Sequence, residues 1–291
     1  MKPASFEYFS PTSLPEALQL LALHKDAARP LAGGQSLVPL MNFRLARPAY
    51  LVDLNGLSEL NYLTVENGEL RIGAMTRQRA LERSAAVAEG WPLLHEATPH
   101  IGHVQIRNRG TVGGSLAHAY PSAELPVVMV ALDASFVLRG HQSERLVQAQ
   151  EFFVDAMSTL LEPAELLIEI RVPKTSPRTG SAFQEVSRRH GDFALAAVAA
   201  TISLRPDGTI DEANLVFTGS KPHLSSKTER LSGMKPDAAI FNDVANAAAA
   251  ELDPESDIHA SAEYRKEVSK VLARRVLEQA AARAKSLESR V

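Results

Sequence analysis

The sequence predicts an α+β protein of two or three domains. Three observations carry this. The chain has 291 residues, more than one small hydrophobic core organises. Asn67-Gly68, flanked by apolar runs at 63–65 and 70–72, is a β-hairpin signature. Three strand-like runs, at 182–188, 194–204 and 213–218, are followed by helical periodicity to the end. The expected divisions are 1–56, 57–173 and 174–291.

The first division reads as a small α/β unit. Ser13 or Thr12 can cap a helix, with Pro15 in its first turn and Leu14, Ala17, Leu18, Leu21 and Ala22 at helical spacing. Residues 37–45 read as helix or loop, and 50–54 as a strand. In the second division, 76–84 and 91–100 read as helices around Trp91, a packing residue. An apolar stretch follows at 125–138, then a strand at 166–172 closed by Pro173. Residues 174–180 form a linker. Arg188-Arg189-His190-Gly191-Asp192 and Pro206-Asp207-Gly208 supply turns between the late strands. Two helices finish the chain, at 239–251 and 261–286, the second with Tyr264, Val268, Val271, Leu272, Val276 and Leu287 on an apolar stripe.

Composition narrows the function classes. The net charge of -3 supplies no basic field for nucleic acid. No cysteine is present, which excludes thiolate metal sites, iron–sulfur ligation by this chain and a cysteinyl cofactor link. Residues 1–10 are polar and lack a signal-peptide core. The longest apolar runs are about half of the ~20 residues a membrane span needs, so a cytoplasmic protein is expected. His95 and His100 imitate a zinc-protease motif with one residue too many between them, and Pro99 disturbs the helix. No metal ligand and no catalytic acid–base residue is assigned.

The chemistry concentrates in two glycine pairs. Ala32-Gly33-Gly34-Gln35-Ser36 and Thr111-Val112-Gly113-Gly114-Ser115 each place a small polar donor after two glycines, and each follows a strand-like run. Adjacent glycines let backbone amides converge on an anion. Two such loops suit a diphosphate held without many cations. Neither matches G-x-G-x-x-G or the P-loop.

Longer motifs carry a family resemblance. Ala32-Gly33-Gly34-Gln35-Ser36-Leu37-Val38-Pro39-Leu40-Met41 resembles the first FAD loop of the flavin subunits of molybdenum hydroxylases, such as the carbon monoxide, nicotine and caffeine dehydrogenase medium subunits. Ile106-Arg107-Asn108-Arg109-Gly110-Thr111-Val112-Gly113-Gly114-Ser115-Leu116-Ala117-His118-Ala119 resembles the second loop, with Pro121-Ser122-Ala123-Glu124 following at the family's spacing. The resemblance covers nearly the whole chain. It implies the FAD-binding fold of vanillyl-alcohol-oxidase (PCMH) type: two α/β subdomains, then a C-terminal domain of a three-stranded antiparallel sheet and helices. By the same resemblance, Ala32 to Ser36 would hold one side of the diphosphate, with Leu37 beside them. Thr111, Gly113, Gly114 and Ser115 would hold the other. Ile101, His118, Ala119, Ser122 and Glu124 would lie along the cofactor, Leu167 would contact the ring system, and Phe193 would pack near it. Some flavoproteins of this fold attach FAD through a histidine in the first loop. Gln35 cannot form that bond, so FAD is expected to be non-covalent.

The implied role is an electron relay. Molybdopterin would reside on a large partner subunit and 2Fe-2S clusters on a small one, in a heterotrimer. FAD here would pass electrons to an external acceptor. Two alternatives stand beside it: a self-sufficient flavin oxidase of the same fold, and a non-enzymatic nucleotide-binding scaffold. Arg107, Arg109, Arg188 and Arg189 could offset phosphate charge or form ordinary ion pairs.

Overall fold

A computed structural model describes residues 2–288; Met1, the first residue of the polar N-terminal stretch, and 289–291 lie outside it. Three larger sheets organise the chain, beside a two-stranded pair of Phe153–Asp155 with Ser158–Thr159. The first is parallel, with Tyr50–Asp53 between Glu7–Phe9 and Ala28–Leu31. Its helix, Leu14–His24, is capped by Ser13, whose Oγ accepts the Glu16 amide at 3.4 Å, while the Glu16 carboxylate accepts the Thr12 amide at 2.8 Å. Leu14, Ala17, Leu18 and Leu21 bury the inward face.

The second sheet is antiparallel and five-stranded, in the spatial order Leu63–Glu66, Glu69–Gly73, Leu166–Val172, Ser135–Arg139, Glu144–Gln148. The expected hairpin opens it: Asn67 and Gly68 both take positive φ, 52° and 80°. The apolar stretch 125–138 is two elements. Glu124–Ala131 is a helix buried on every side, and Ser135–Arg139 is a strand. Trp91 packs inside, its Nε1 donating to the Pro173 carbonyl at 2.9 Å.

The third sheet pairs Thr179–Ser187, Ala194–Leu204 and Ile210–Phe217 antiparallel, as expected, and adds the two-residue edge strand His223–Leu224. Ala197 and Ala199 face the second sheet's core, whereas Ala196, Val198, Ala200 and Ile202 face the C-terminal helices. Both faces are covered, so the strand reads as one continuous apolar run. The last helix, Ala262–Glu288, departs from the expected stripe. Tyr264 and Val271 are exposed, and the buried face is Leu272, Ala273, Val276, Leu277, Ala280, Ala281 and Ala284. Alanines let the helix approach until Gly180 meets the Ala280 carbonyl. Among the described residues no helix is long and apolar enough to cross a membrane.

Candidate functional site

A cleft of ≈ 620 Å³ is lined by residues from all three sheet regions. That lies within the range of about 300–1,000 Å³ typical of cofactor pockets.

The first glycine pair forms one wall. The strand Ala28–Leu31 ends there, and Gly34 turns the chain with φ +72°, a conformation that disfavours a side chain. The Ala32 carbonyl accepts from Asn55 Nδ2 at 3.0 Å, and the Gln35 side chain folds back to donate to the Gly33 carbonyl at 3.0 Å. Among the described residues no hydrogen bond engages the amides of Gly33, Gly34, Gln35 or Ser36. Successive bare amides around a left-handed residue make an anion nest.

The second pair is built differently. The run before it is the helix Val104–Arg109, not a strand, because its only apolar spacing, at Val104 and Ile106, is too short to hold an extended chain against a sheet. Gly113 and Gly114 sit in the first turn of the helix Val112–His118, whose cap is Thr111. Val112, Gly113 and Gly114 have no amide to offer: they donate to the Thr76 carbonyl at 2.9 Å, the Ala74 carbonyl at 2.9 Å and Thr111 Oγ1 at 3.0 Å. From this wall Thr111 and Ser115, both with side-chain hydroxyls, line the cleft. Gly113 serves packing instead: a Cβ there would stand 2.5 Å from that of Ala74.

The two walls meet backbone to backbone. A Cβ on Gly33 would collide with the Arg109 carbonyl and stand 2.8 Å from Cα of Gly110. Arg77 braces the joint, donating to Asn55 Oδ1 at 2.7 Å and to the Arg109 carbonyl at 2.5 Å. Arg107 is buried and structural. It donates to Glu82 at 2.9 Å and to the Ile101 and Gly102 carbonyls at 3.0 and 2.8 Å. These cations fix the frame, and the nest supplies the positive potential.

Residues 4–175 match the family model described as the FAD binding domain in molybdopterin dehydrogenase. The chain belongs to this family. Its cofactor is FAD and its class is oxidoreductase. Residues 181–280 match the CO dehydrogenase flavoprotein C-terminal domain. The chain is 41% identical to the alpha subunit of the 6-hydroxypseudooxynicotine dehydrogenase complex of Paenarthrobacter nicotinovorans, over 98% of this chain and 97% of that one. It superposes on carbon monoxide dehydrogenase from Hydrogenophaga pseudoflava with TM-score 0.94 at 36% identity, covering 97% and 99% of the two chains. With quinoline 2-oxidoreductase from Pseudomonas putida 86 the TM-score is 0.92 at 36% identity, over 98% and 99%.

In this flavin subunit, Leu37, Ile101, His118, Glu124, Leu167 and Phe193 line the cleft together with both glycine regions. Ala119 and Ser122 do not. Ala119 closes the helix Val112–His118 with φ 47° and turns its carbonyl to the Met157 amide, and Ser122 sits in the tight turn from Tyr120 to Ala123. Phe193 is exposed and packs on Tyr120 with ring centroids 4.4 Å apart. Burial holds the His118 imidazole below its usual pKa and so neutral. Burial, then the charge of Glu185, push the Glu124 carboxyl up to about 7. Met75, Gln78, Tyr120, Met157, Leu161 and Glu165 also line the cleft without having been singled out in sequence. Of these, Tyr120 falls between the quoted motif segments 106–119 and 121–124; Gln78 comes from the helix Gln78–Arg83, and Met75, Met157, Leu161 and Glu165 from turns and loops. Glu165 is bound by Arg145 at 2.7 Å, which marks it as part of the wall.

Proposed function

We propose that this chain is the electron-relay subunit of a molybdopterin-dependent dehydrogenase or hydroxylase and holds FAD non-covalently in the cleft. The observation that carries the reading is the nest of bare amides from Gly33 to Ser36 at a cofactor-sized cleft, where the lining cation Arg29 donates to the Asp26 and Ala28 carbonyls. Gly33 lets the first wall close against the Arg109 carbonyl, and Gly34 holds the turn at φ +72°, where a Cβ would be strained. These amides take one side of the diphosphate, and the Thr111 and Ser115 hydroxyls take the other. Ile101, Leu167 and Phe193 give apolar surface to the rings and exclude water. Arg29, His118, Tyr120, Glu124, Glu165 and Asp192 are the titratable residues among those that line the cleft.

FAD, when bound, supplies the electron-transfer chemistry. The chain positions it and closes it from solvent. No general base is required for hydroxylation, which belongs to a large molybdopterin subunit; a small subunit with 2Fe-2S clusters delivers the electrons, and an external acceptor removes them. The absence of cysteine supports this division, because the clusters need thiolates from another chain. No larger sheet crosses the divisions 1–56, 57–173 and 174–291, and the two-stranded pair at 153–159 also falls inside the second, which supports reading them as two cofactor-clasping subdomains and a C-terminal domain. The expected compartment is the cytoplasm.

The test is purification from the native host followed by acid precipitation. Co-purification with a large and a small subunit, and a yellow supernatant over a colourless pellet, are expected. A yellow pellet would contradict non-covalent binding. A chain that purifies alone and turns over substrate would favour the self-sufficient oxidase.

A further inference from the structure

The glycine turn after the strand Ala28–Leu31 has its carbonyls tied down one after another, and this decides where its amides go. In a trans peptide the carbonyl oxygen of one residue and the N–H of the next lie on opposite edges of one plane. None of the described peptide bonds is cis. The Ala32 carbonyl accepts from Asn55 Nδ2 at 3.0 Å, the Gly33 carbonyl from Gln35 Nε2 at 3.0 Å and the Gly34 carbonyl from the Val38 amide at 3.1 Å. Three consecutive planes are thus each held by the carbonyl edge. The opposite edges carry the amides of Gly33, Gly34 and Gln35, which have no partner among the described residues, and all three residues line the cleft.

The third hold comes with the entry into the helix Leu37–Asn42. The first two are side-chain carboxamides with different surroundings. The Gln35 side chain makes no other hydrogen bond among the described residues. Asn55 is exposed and does not line the cleft. Its own orientation is set: Oδ1 accepts from Arg77 Nη2 at 2.7 Å, and Nδ2 also meets Asp53 Oδ1. A guanidinium only donates, so Arg77 selects the oxygen end of the carboxamide and leaves the nitrogen end for Ala32. Glycine makes such holds necessary. A peptide plane turns over by changing ψ of the residue before it and φ of the residue after it. Gly33 and Gly34 supply that φ for the first two planes at little steric cost. A released plane is free to turn its oxygen to the cleft, and an oxygen repels the anion that an N–H would bind.

We propose that Gln35 and Asn55 are positioning residues for the FAD diphosphate: by holding the Gly33 and Ala32 carbonyls they keep the Gly34 and Gly33 amides turned to the anion before it arrives. This rests on the reading that the cleft takes FAD. The Gln35 carboxamide is spent on the backbone, so its contribution to binding passes through the Gly33–Gly34 plane. Asn55 acts from outside the cleft, through the Ala32–Gly33 plane, and Arg77 acts through Asn55. What the pair supplies is preorganisation: the cofactor does not have to turn the planes itself.

The experiment titrates the FAD-stripped full chain with FAD, read by flavin fluorescence, beside thermal unfolding and a crystal structure of each stripped variant. Gln35→Leu should weaken FAD by about threefold to tenfold, the worth of one neutral hydrogen bond. Its unfolding midpoint should barely move, because the released Gly33 carbonyl turns to water in the open cleft. A merely structural role would lower the midpoint and leave the affinity of the folded fraction alone. Asn55→Ala should weaken FAD by a similar factor with a lower midpoint, since it also gives up Arg77. In the stripped structures the Gly33 carbonyl should be rotated in Gln35→Leu and the Ala32 carbonyl in Asn55→Ala. Wild-type FAD affinity in folded Gln35→Leu overturns this inference and leaves the cleft reading standing. So does weaker binding with the Gly33 carbonyl unmoved, which would make Gln35 a direct ligand of the cofactor. A wild-type chain that binds no FAD overturns both.

Discussion

Gly33-Gly34 and Gly113-Gly114 are the same dipeptide, each followed closely by a serine, and the fold puts them to opposite uses. At the first pair the carbonyls are bonded but the amides have no partner among the described residues, and both glycines line the cleft. At the second pair every amide is spent inside the protein, and the missing side chain lets a helix press on Ala74. The difference teaches that a glycine pair announces steric permission, not its purpose. Purpose is decided by where neighbouring carbonyls lie. The strand Ala28–Leu31 ends without one to offer, whereas Ala74 and Thr76, at the exit of Glu69–Gly73, offer two.

Four substitutions would break or sharpen that contrast. The largest effect is expected from Gly33→Ala, which forces a Cβ into the Arg109 carbonyl at the joint of the walls. It should cost about 1–3 kcal/mol of stability and, by displacing the nest, more than about tenfold in FAD affinity. Gly113→Ala should cost a similar ~1–3 kcal/mol through its clash with Ala74 while changing FAD affinity by less than about twofold. Thermal unfolding of stripped protein beside a FAD titration separates the two readouts. Gly34→Ala places a side chain at φ +72°, worth about 1–2 kcal/mol, and its loss should fall mainly on FAD affinity. If Gly113→Ala weakened FAD as much as Gly34→Ala, the contrast would be wrong. The smallest change is Thr111→Val, which deletes the cap on the Gly114 amide at a cost of ~1 kcal/mol in unfolding free energy and, by removing one wall hydroxyl, a modest fall in affinity.

Much of the fold was legible because local chemistry and tertiary structure agree. The Asn67-Gly68 turn, the Ser13 cap and the three long C-terminal strands each carry their own signal. The strand Ser135–Arg139 was hidden because the chain passes into it from a buried helix through Asp133, which takes φ 50° without a glycine to mark the turn. The Ala262–Glu288 stripe was misjudged for a related reason. Large apolar residues attract attention, yet the close approach to Gly180 selects alanine. At the cleft, the motif residues were legible and the walls from distant strands were not. Glu185 is an example: nothing in residues 179–187 marks one glutamate among strand residues as a buried partner of His100.

The joint at Gly33 bears on how this chain tolerates change. Its contact partners are main-chain atoms of Arg109 and Gly110, which every sequence possesses and no substitution can trim. A crowded side chain elsewhere can be rescued by shrinking its neighbour; here no second-site replacement offers relief. In a library selected only for folding, position 33 should stay glycine under any genetic background, while Val38, exposed one turn away, drifts freely.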